Sequence, residues 1–262
     1  MIRPDLQSGT FVLDELLANR RWWRRDEPFA HVVAHDVFKP GFHEQLTAAF
    51  GHAQRSEARP FKRNMPGYDA LGMDLPPHCS GPLAVFICRA WHDMLARLFS
   101  IEATGDMAAS LHHHPVGSAS GRPHNDLNPG WFIDQRRADG INVADHTLCS
   151  YRTGVAAHAG LTRHVTVRAA AMIYYLGNPV WCAGDGGETG LYERADDPVG
   201  RPRVSVPPIN NSLVCFPCMP YSYHSFISNR RHVRNAVVLW VHRSMRDAIE
   251  RWGSHEIVQW RE

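Results

Sequence analysis

Lysine is nearly missing from this chain: of its 28 basic residues only Lys39 and Lys62 are lysines, so Schiff-base chemistry has few candidates. Long apolar runs are missing too, and none approaches the ~18 residues a membrane helix needs. The start, MIRPDLQSGTFVLDELL, lacks the basic flank, apolar stretch and small-residue cleavage site of a secretory signal, so a cytoplasmic location is expected. A formal charge of +2 is too small to demand a nucleic-acid partner. The arginine-rich RRWWRR, Arg20 to Arg25, is expected to pack its tryptophans and solvate its arginines, with neither nucleic acid nor membrane as partner. Six cysteines without a secretion signal read as reduced thiols. Cys215 and Cys218 form a C-x-x-C, but Pro217 lies inside it and no second C-x-x-C exists to complete a zinc site, so buried thiols are expected.

What is present suggests a single domain over 1–262, since no repeat or linker interrupts it. Residues 1–106 read as a mainly helical layer. TFVLDELLANRRWW and GFHEQLTAAFGHA have helical spacing around a strand in FAHVVAHDVF, and GPLAVFICRAWHDMLARLF predicts one long helix after Gly81-Pro82. From 107 to 243 short apolar runs alternate with turn residues, the signature of a strand-built core. A glycine- and histidine-containing stretch at 127–166 interrupts it and is expected to be a lid-like insertion, and 244–262 forms a C-terminal extension. The fold class is α+β with a mainly β core.

The candidate chemistry starts at GRPHNDLNPGWF. His124 and Asp126 stand two apart, the spacing that points two side chains to one face of a strand. With 17 histidines and 16 aspartates among 262 residues, chance alone gives about one H-x-D, so the pair needs partners. A second histidine on another strand would complete two imidazoles and one carboxylate, the set that leaves open positions on a non-haem Fe(II). His224, in the strand-like YSYHSFI, is the best candidate. Ten residues on, Arg234 opens RNAVVLWV and shares a strand face with Ala236, Val238 and Trp240. A guanidinium on an apolar face is costly unless an anion meets it, and a bidentate carboxylate answers that cost.

The order H-x-D, AAAMIYYLGNPVW, GGETGLY, VPPINNSLVCFP, YHSF, RNAVVLWVHR resembles the Fe(II)/2-oxoglutarate-dependent oxygenases, in particular their prolyl-hydroxylase-like branch, over roughly Met107 to Arg243. The resemblance implies a double-stranded β-helix (jelly-roll, cupin-like) with iron on His124, Asp126 and His224. It implies 2-oxoglutarate on Arg234 assisted by Tyr175, O₂ as co-substrate and ascorbate as a stimulant. Val238 departs from relatives that carry a threonine there, leaving Arg234 with fewer helpers. The implied reaction is decarboxylation of 2-oxoglutarate to succinate and CO₂ coupled to hydroxylation of an unactivated C–H bond. Halogenation is disfavoured because Asp126 occupies the position that family halogenases leave small.

The substrate expected is a small molecule or amino acid in a biosynthetic step. The alternatives are a protein or peptidyl (prolyl-type) hydroxylase and, from a different class, a jelly-roll that binds metal or ligand without catalysis. His112 and His114 of the triple histidine can share a face and stand as substrate contacts, as do Trp131 and Phe132 in the insertion. Glu188 of GGETGLY is either structural or substrate-facing.

Overall fold

The computed structural model describes residues 11–19, 22–58, 60–63 and 69–260. Its first third contains less helix than the periodicity predicts. Among its described residues TFVLDELLANRRWW forms one helical turn, α1 (Leu13–Leu16), ahead of β1 (Trp23–Arg25), which pairs antiparallel with β2 (His31–Ala34). Trp22 packs against the core beside Trp91, while Trp23 is 69% exposed. Arg20 and Arg21 lie outside the described residues. The next segment is helical as expected: α2 (Pro40–Arg55) starts on a proline and buries Phe42, Leu46 and Phe50, four residues apart on one face.

Two short strands follow, β3 (Lys62–Arg63) and β4 (Leu71–Asp74). The single long helix expected after Gly81-Pro82 is broken in two. A 3-10 segment, Pro82–Ile87, ends at Cys88, whose backbone is extended, and α3 (Arg89–Leu98) begins there with the Cys88 sulfur accepting the Trp91 N–H at 3.4 Å. Leu83, Val85, Phe86 and Ile87 are all buried, more of the circumference than one amphipathic stripe covers. A break at Cys88 lets both halves turn apolar residues to the same core.

The strand-built body is as read. In order come β5 (Asp106–His114), β6 (Pro129–Ile133), β7 (Asn142–Val143), β8 (Arg163–Tyr175), β9 (Thr189–Tyr192), β10 (Val204–Val206), β11 (Ser212–Pro217), β12 (Tyr223–Phe226) and β13 (Arg234–Ser244), with α4 (Met245–Trp252) after them. The large sheet runs β1-β2-β11-β8-β13-β5-β4-β3, and β10-β9-β12 form a small one. An isolated antiparallel bridge joins His124 to His224, so the H-x-D stretch extends the small sheet beyond β12. Two sheets joined this way enclose the interior of a double-stranded β-helix.

Alternation divides the large sheet into two faces. Met107, Ala109, Leu111, Met172, Tyr174, Val237, Leu239 and Val241 pack with α2, α3 and the 3-10 segment in the larger core. Ile173, Tyr175, Ala236 and Val238 face the other way, toward Leu191 of the small sheet and Phe216. Cys215 belongs to the first core and Cys218 to the second; both are buried and unbridged, as expected.

The 127–166 segment is tied into the sheet rather than standing free as a flap. Strand β6 pairs with the first part of β8, and β7 runs parallel to the start of β5. Asn142 donates to the Asp106 carboxylate at 2.9 Å and to the Ile133 carbonyl at 3.0 Å.

One residue fastens the helical layer to the strands. Asn211 (φ 58°) accepts the Phe38 N–H at 2.9 Å and the Tyr174 hydroxyl at 2.9 Å, and its amide donates to the Phe38 carbonyl at 2.8 Å. Asn211→Ala loses all three bonds and places a less tolerant residue at positive φ. The expected cost is about 2–4 kcal/mol in chemical denaturation. A change below about 0.5 kcal/mol, the ordinary range for surface substitutions, would show that this fastening contributes nothing.

Candidate active site

His124, Asp126 and His224 meet in space. One ligand atom from each lies within 4.8 Å of the other two. The bridge between His124 and His224 brings the imidazoles together, with ring centroids 4.5 Å apart. Each ring has its Nδ1 against a backbone carbonyl: Arg122 O at 2.9 Å for His124 and Ser222 O at 3.1 Å for His224. Donation from Nδ1 leaves both Nε2 lone pairs available, and these lie 3.9 Å and 3.5 Å from the Asp126 carboxylate oxygens. Desolvation by the surrounding protein, followed by the charge of His224, lowers the His124 pKa and favours the neutral ring that a metal requires, although about half of the side chain stays exposed. Two imidazoles and a carboxylate with converging free atoms suit a divalent transition metal.

Asp126 is held from both sides. Arg168 Nη1 donates to one carboxylate oxygen at 2.7 Å and Trp240 Nε1 to the other at 2.6 Å. Arg168 lies over the Trp240 ring at 3.6 Å and donates from Nε to the Tyr151 hydroxyl at 3.1 Å. That hydroxyl, its pKa pushed up to about 12 by burial, has its own proton for Nε2 of His242 at 2.9 Å, and His242 reaches Thr166 through Nδ1 at 3.0 Å. The Asp126 pKa falls well below the usual carboxylate range: Arg168 and the two histidines outweigh burial, which acts in the opposite direction.

Arg168 reaches this position through a bulge. Ala171 of β8 stands opposite Trp240, but the pairing shifts between Val241 and His242, so Arg168 stands opposite His242. Without the shift, a residue three from Ala171 would point to the helical face; with it, Arg168 joins Trp240 on the inner face. Sequence reading passed over both partners of Asp126. A lone arginine in VTVRAAAMIYYL was the same signal that had singled out Arg234.

Arg234 sits at the other end of the inner face. Only 3% of its surface is exposed, and its Nε is buried without a hydrogen-bond partner. Nη2 donates to the Thr189 hydroxyl at 3.1 Å, and Nη1 lies 3.5 Å from His114 Nδ1. Tyr175, where the resemblance placed a helper, hydrogen-bonds the same Thr189 hydroxyl at 2.6 Å, with the guanidinium 5.2 Å over its ring. Val238 offers no hydroxyl here, and the Thr189 hydroxyl of the small sheet is the one that meets Arg234. A buried guanidinium whose described contacts are all uncharged suits a carboxylate ligand.

The other candidates separate by strand face. His114 and His112 stand opposite Arg234 and Ala236 on the inner face, and His113 points outward to Gln54 and Asn235. His114 stacks on Phe226 at 3.9 Å. His112 bonds Ser110 at 2.9 Å, and burial lowers its pKa to about 3, so it is neutral. Glu188 precedes β9 in the register of the outward-facing Gly190 and Tyr192, and its Oε2 is buried without a partner. Its neighbour Thr189 is the residue that faces inward. Phe132, 1% exposed, fills a small core with Ala108, Tyr151 and Ala144 and is not open to a substrate. Trp131 packs against Gly154, where an added Cβ would meet the indole, and lies under Arg163.

Residues 146–242 match the profile of the 2OG-Fe(II) oxygenase superfamily. That stretch includes His224 and Arg234 and begins after Asp126. No curated protein sequence matches the chain. Among solved structures it is similar to a Pseudomonas putida prolyl-4-hydroxylase, at 17% identity and TM-score 0.51 over 88% of this chain and 97% of that one. It is also similar to a Trichoplax adhaerens prolyl hydroxylase in complex with a hypoxia inducible factor oxygen degradation domain peptide fragment, at 14% identity and TM-score 0.54 over 84% and 86%. At these identities the likeness is one of fold.

The Thr189 bridge yields a test independent of turnover. Thr189→Val removes a hydroxyl that orients a charged donor, so 2-oxoglutarate affinity under anaerobic conditions should fall by about tenfold. Glu188→Gln should leave it within about twofold, as expected for a residue outside the pocket. Equal effects of the two substitutions would reject the inward assignment.

Proposed function

We propose that the chain is a 2OG-Fe(II) oxygenase, a reading supported by the match of residues 146–242 to that superfamily's profile and by a fold like that of the prolyl hydroxylases, and that it hydroxylates an unactivated C–H bond of a small-molecule, amino-acid-type substrate. The observation that carries the oxygenase site is the pairing of two features on one enclosed face. One is the His124, Asp126, His224 cluster; the other is the buried, carboxylate-free Arg234. The three side chains would hold Fe(II), and Arg234 with Thr189 and Tyr175 would hold the distal carboxylate of 2-oxoglutarate. Bound together, Fe(II), 2-oxoglutarate and O₂ supply the oxidising power for hydroxylation, with succinate and CO₂ released.

The chain's own residues set the conditions for that chemistry. The Nδ1 contacts of His124 and His224 orient the imidazoles before a metal arrives, and Arg168 with Trp240 fixes the plane of the carboxylate. The small-molecule reading is supported by Tyr151 of the 127–166 segment and Trp260 of the C-terminal extension. Both rings lie against Arg168, the arginine that holds Asp126. A peptidyl hydroxylase is the second reading, favoured by the fold shared with the prolyl hydroxylases.

The test uses anaerobically purified protein given Fe(II), 2-oxoglutarate, O₂ and either free amino acids or proline-containing peptides. Succinate formation coupled to a free amino acid is expected, and coupling only to peptides would establish the second reading. His124→Ala and Asp126→Ala should reduce coupled turnover to background; retained turnover would reject the triad. Arg234→Ala should weaken anaerobic 2-oxoglutarate binding by roughly a hundredfold, the loss of about 3 kcal/mol from a charge-assisted contact. Unchanged binding would reject the carboxylate role.

A further inference from the structure

The hydrogen bonds behind Asp126 run in one direction. Arg168 donates from Nη1 to the carboxylate at 2.7 Å and from Nε to the Tyr151 hydroxyl at 3.1 Å. The hydroxyl that accepts this bond has its own proton for His242 Nε2 at 2.9 Å, and a neutral His242 so engaged carries its proton on Nδ1, facing the Thr166 hydroxyl at 3.0 Å. Burial, and then the charge of Arg168, hold the His242 pKa well below the usual imidazole range and keep the ring in that neutral form. Asp126, Tyr151, Thr166, Arg168 and His242 are all buried, so a broken link leaves a polar atom without its partner.

The Tyr151 contact fixes what the ion pair alone would leave loose. A guanidinium is planar, and holding Nε as well as Nη1 sets the plane in which it meets the carboxylate. The hydroxyl does this as a neutral oxygen, whereas a second carboxylate in its place would draw the guanidinium away from Asp126. The phenol ring is itself held firmly. An added Cβ at Gly130 of β6 would stand 2.5 Å from it and 2.7 Å from His242, the ring of Phe132 lies edge-on at 5.6 Å, and the Tyr151 carbonyl accepts the Trp131 N–H at 2.9 Å.

We propose that Tyr151 is a positioning residue for the metal: acting through Arg168, it sets the orientation in which Asp126 would meet a divalent ion shared with His124 and His224. The 127–166 segment then tunes metal binding from behind a ligand. This role rests on the oxygenase reading of the cluster and adds to it a residue that touches neither metal nor co-substrate. Outer partners of a metal ligand commonly account for about ten- to a hundredfold of metal affinity. Without the Tyr151 hydroxyl, Arg168 is free to turn about its remaining contacts, and the carboxylate oxygen it holds turns with it.

The test adds Co(II), a spectroscopic stand-in for Fe(II), to the metal-free full chain and reads both affinity and the visible ligand-field bands. Tyr151→Phe removes the hydroxyl and keeps the ring; affinity should fall about tenfold and the bands should shift. Tyr174→Phe removes a buried hydroxyl bonded to Asn211 and His43 on the helical face. It should lower the thermal midpoint while leaving affinity within about twofold and the bands in place. Arg168→Lys keeps a cation for Asp126 but has no Nε donor, so in that protein Tyr151→Phe should change affinity by less than about twofold. Gly130→Ala crowds the Tyr151 ring without removing a polar group and should shift the bands in the same direction, which decides the matter if Tyr151→Phe does not fold. The proposal is overturned if Tyr151→Phe binds Co(II) as the unmutated protein does, if Tyr174→Phe weakens binding as much, or if the losses from Tyr151→Phe and Arg168→Lys simply multiply. An unmutated protein that binds no Co(II), or binds it equally after His124→Ala, would reject the metal cluster itself; binding that depends on His124 but not on Tyr151 would reject only the positioning role.

Discussion

Alternation along the paired strand β13 is the constraint on which the site depends. Hydrogen-bonded to β5 on one side and β8 on the other, it cannot turn without breaking both ladders. Its odd-numbered residues Val237, Leu239 and Val241 therefore bind the helical layer, while Arg234, Ala236, Val238 and Trp240 face the interior. The two ends of the candidate site, the guanidinium of Arg234 and the indole that holds Asp126, are spaced by six residues of one strand. A slip of one residue would bury the wrong set and expose the helical core.

The candidate metal cluster depends on the opposite sheet in a different way. His124 is outside any long strand and is placed by a single bridge to His224, with its ring half in solvent. Asp126 is instead locked by an ion pair and an indole hydrogen bond in a nearly closed setting. An ion pair of this kind gives little net stability, since desolvation offsets most of the attraction. What it provides is orientation, and removing Arg168 would leave a buried carboxylate without its main partner.

Much of the core was legible because it is local. Period-two alternation after Met107 and the four-residue spacing in α2 gave the elements, and the H-x-D, His224 and Arg234 were identifiable as residue types whose burial needs a partner. The errors have particular physical causes. One turn of α1 stands where a helix was expected because β1 pairs with β2, a tertiary contact that overrides local propensity. The helix after Gly81 breaks at Cys88 because its apolar residues cover too much of its circumference. Glu188 stood out by chemical type, although the register with His224 and Phe226 decides which of two adjacent residues, Glu188 or Thr189, faces inward. Phe132 looked like a lid contact because its segment is polar and turn-rich, yet β6 carries it into a closed core.

The sequence by itself determined which residues are candidates for the chemistry: two histidines, a carboxylate and an arginine in the order and strand contexts that the proposed oxygenase chemistry would use. It also determined the alternation that sends them to one side. Only the tertiary structure decided the partners. The bulge between Val241 and His242 turns Arg168 inward, Thr189 crosses from the small sheet to replace a missing hydroxyl, and Trp260 joins residues from three distant parts of the chain. The reason is physical: periodicity is a property of neighbours along the chain, whereas a bulge, a sheet-to-sheet contact and a shared ring depend on strand register and packing, which no local pattern contains.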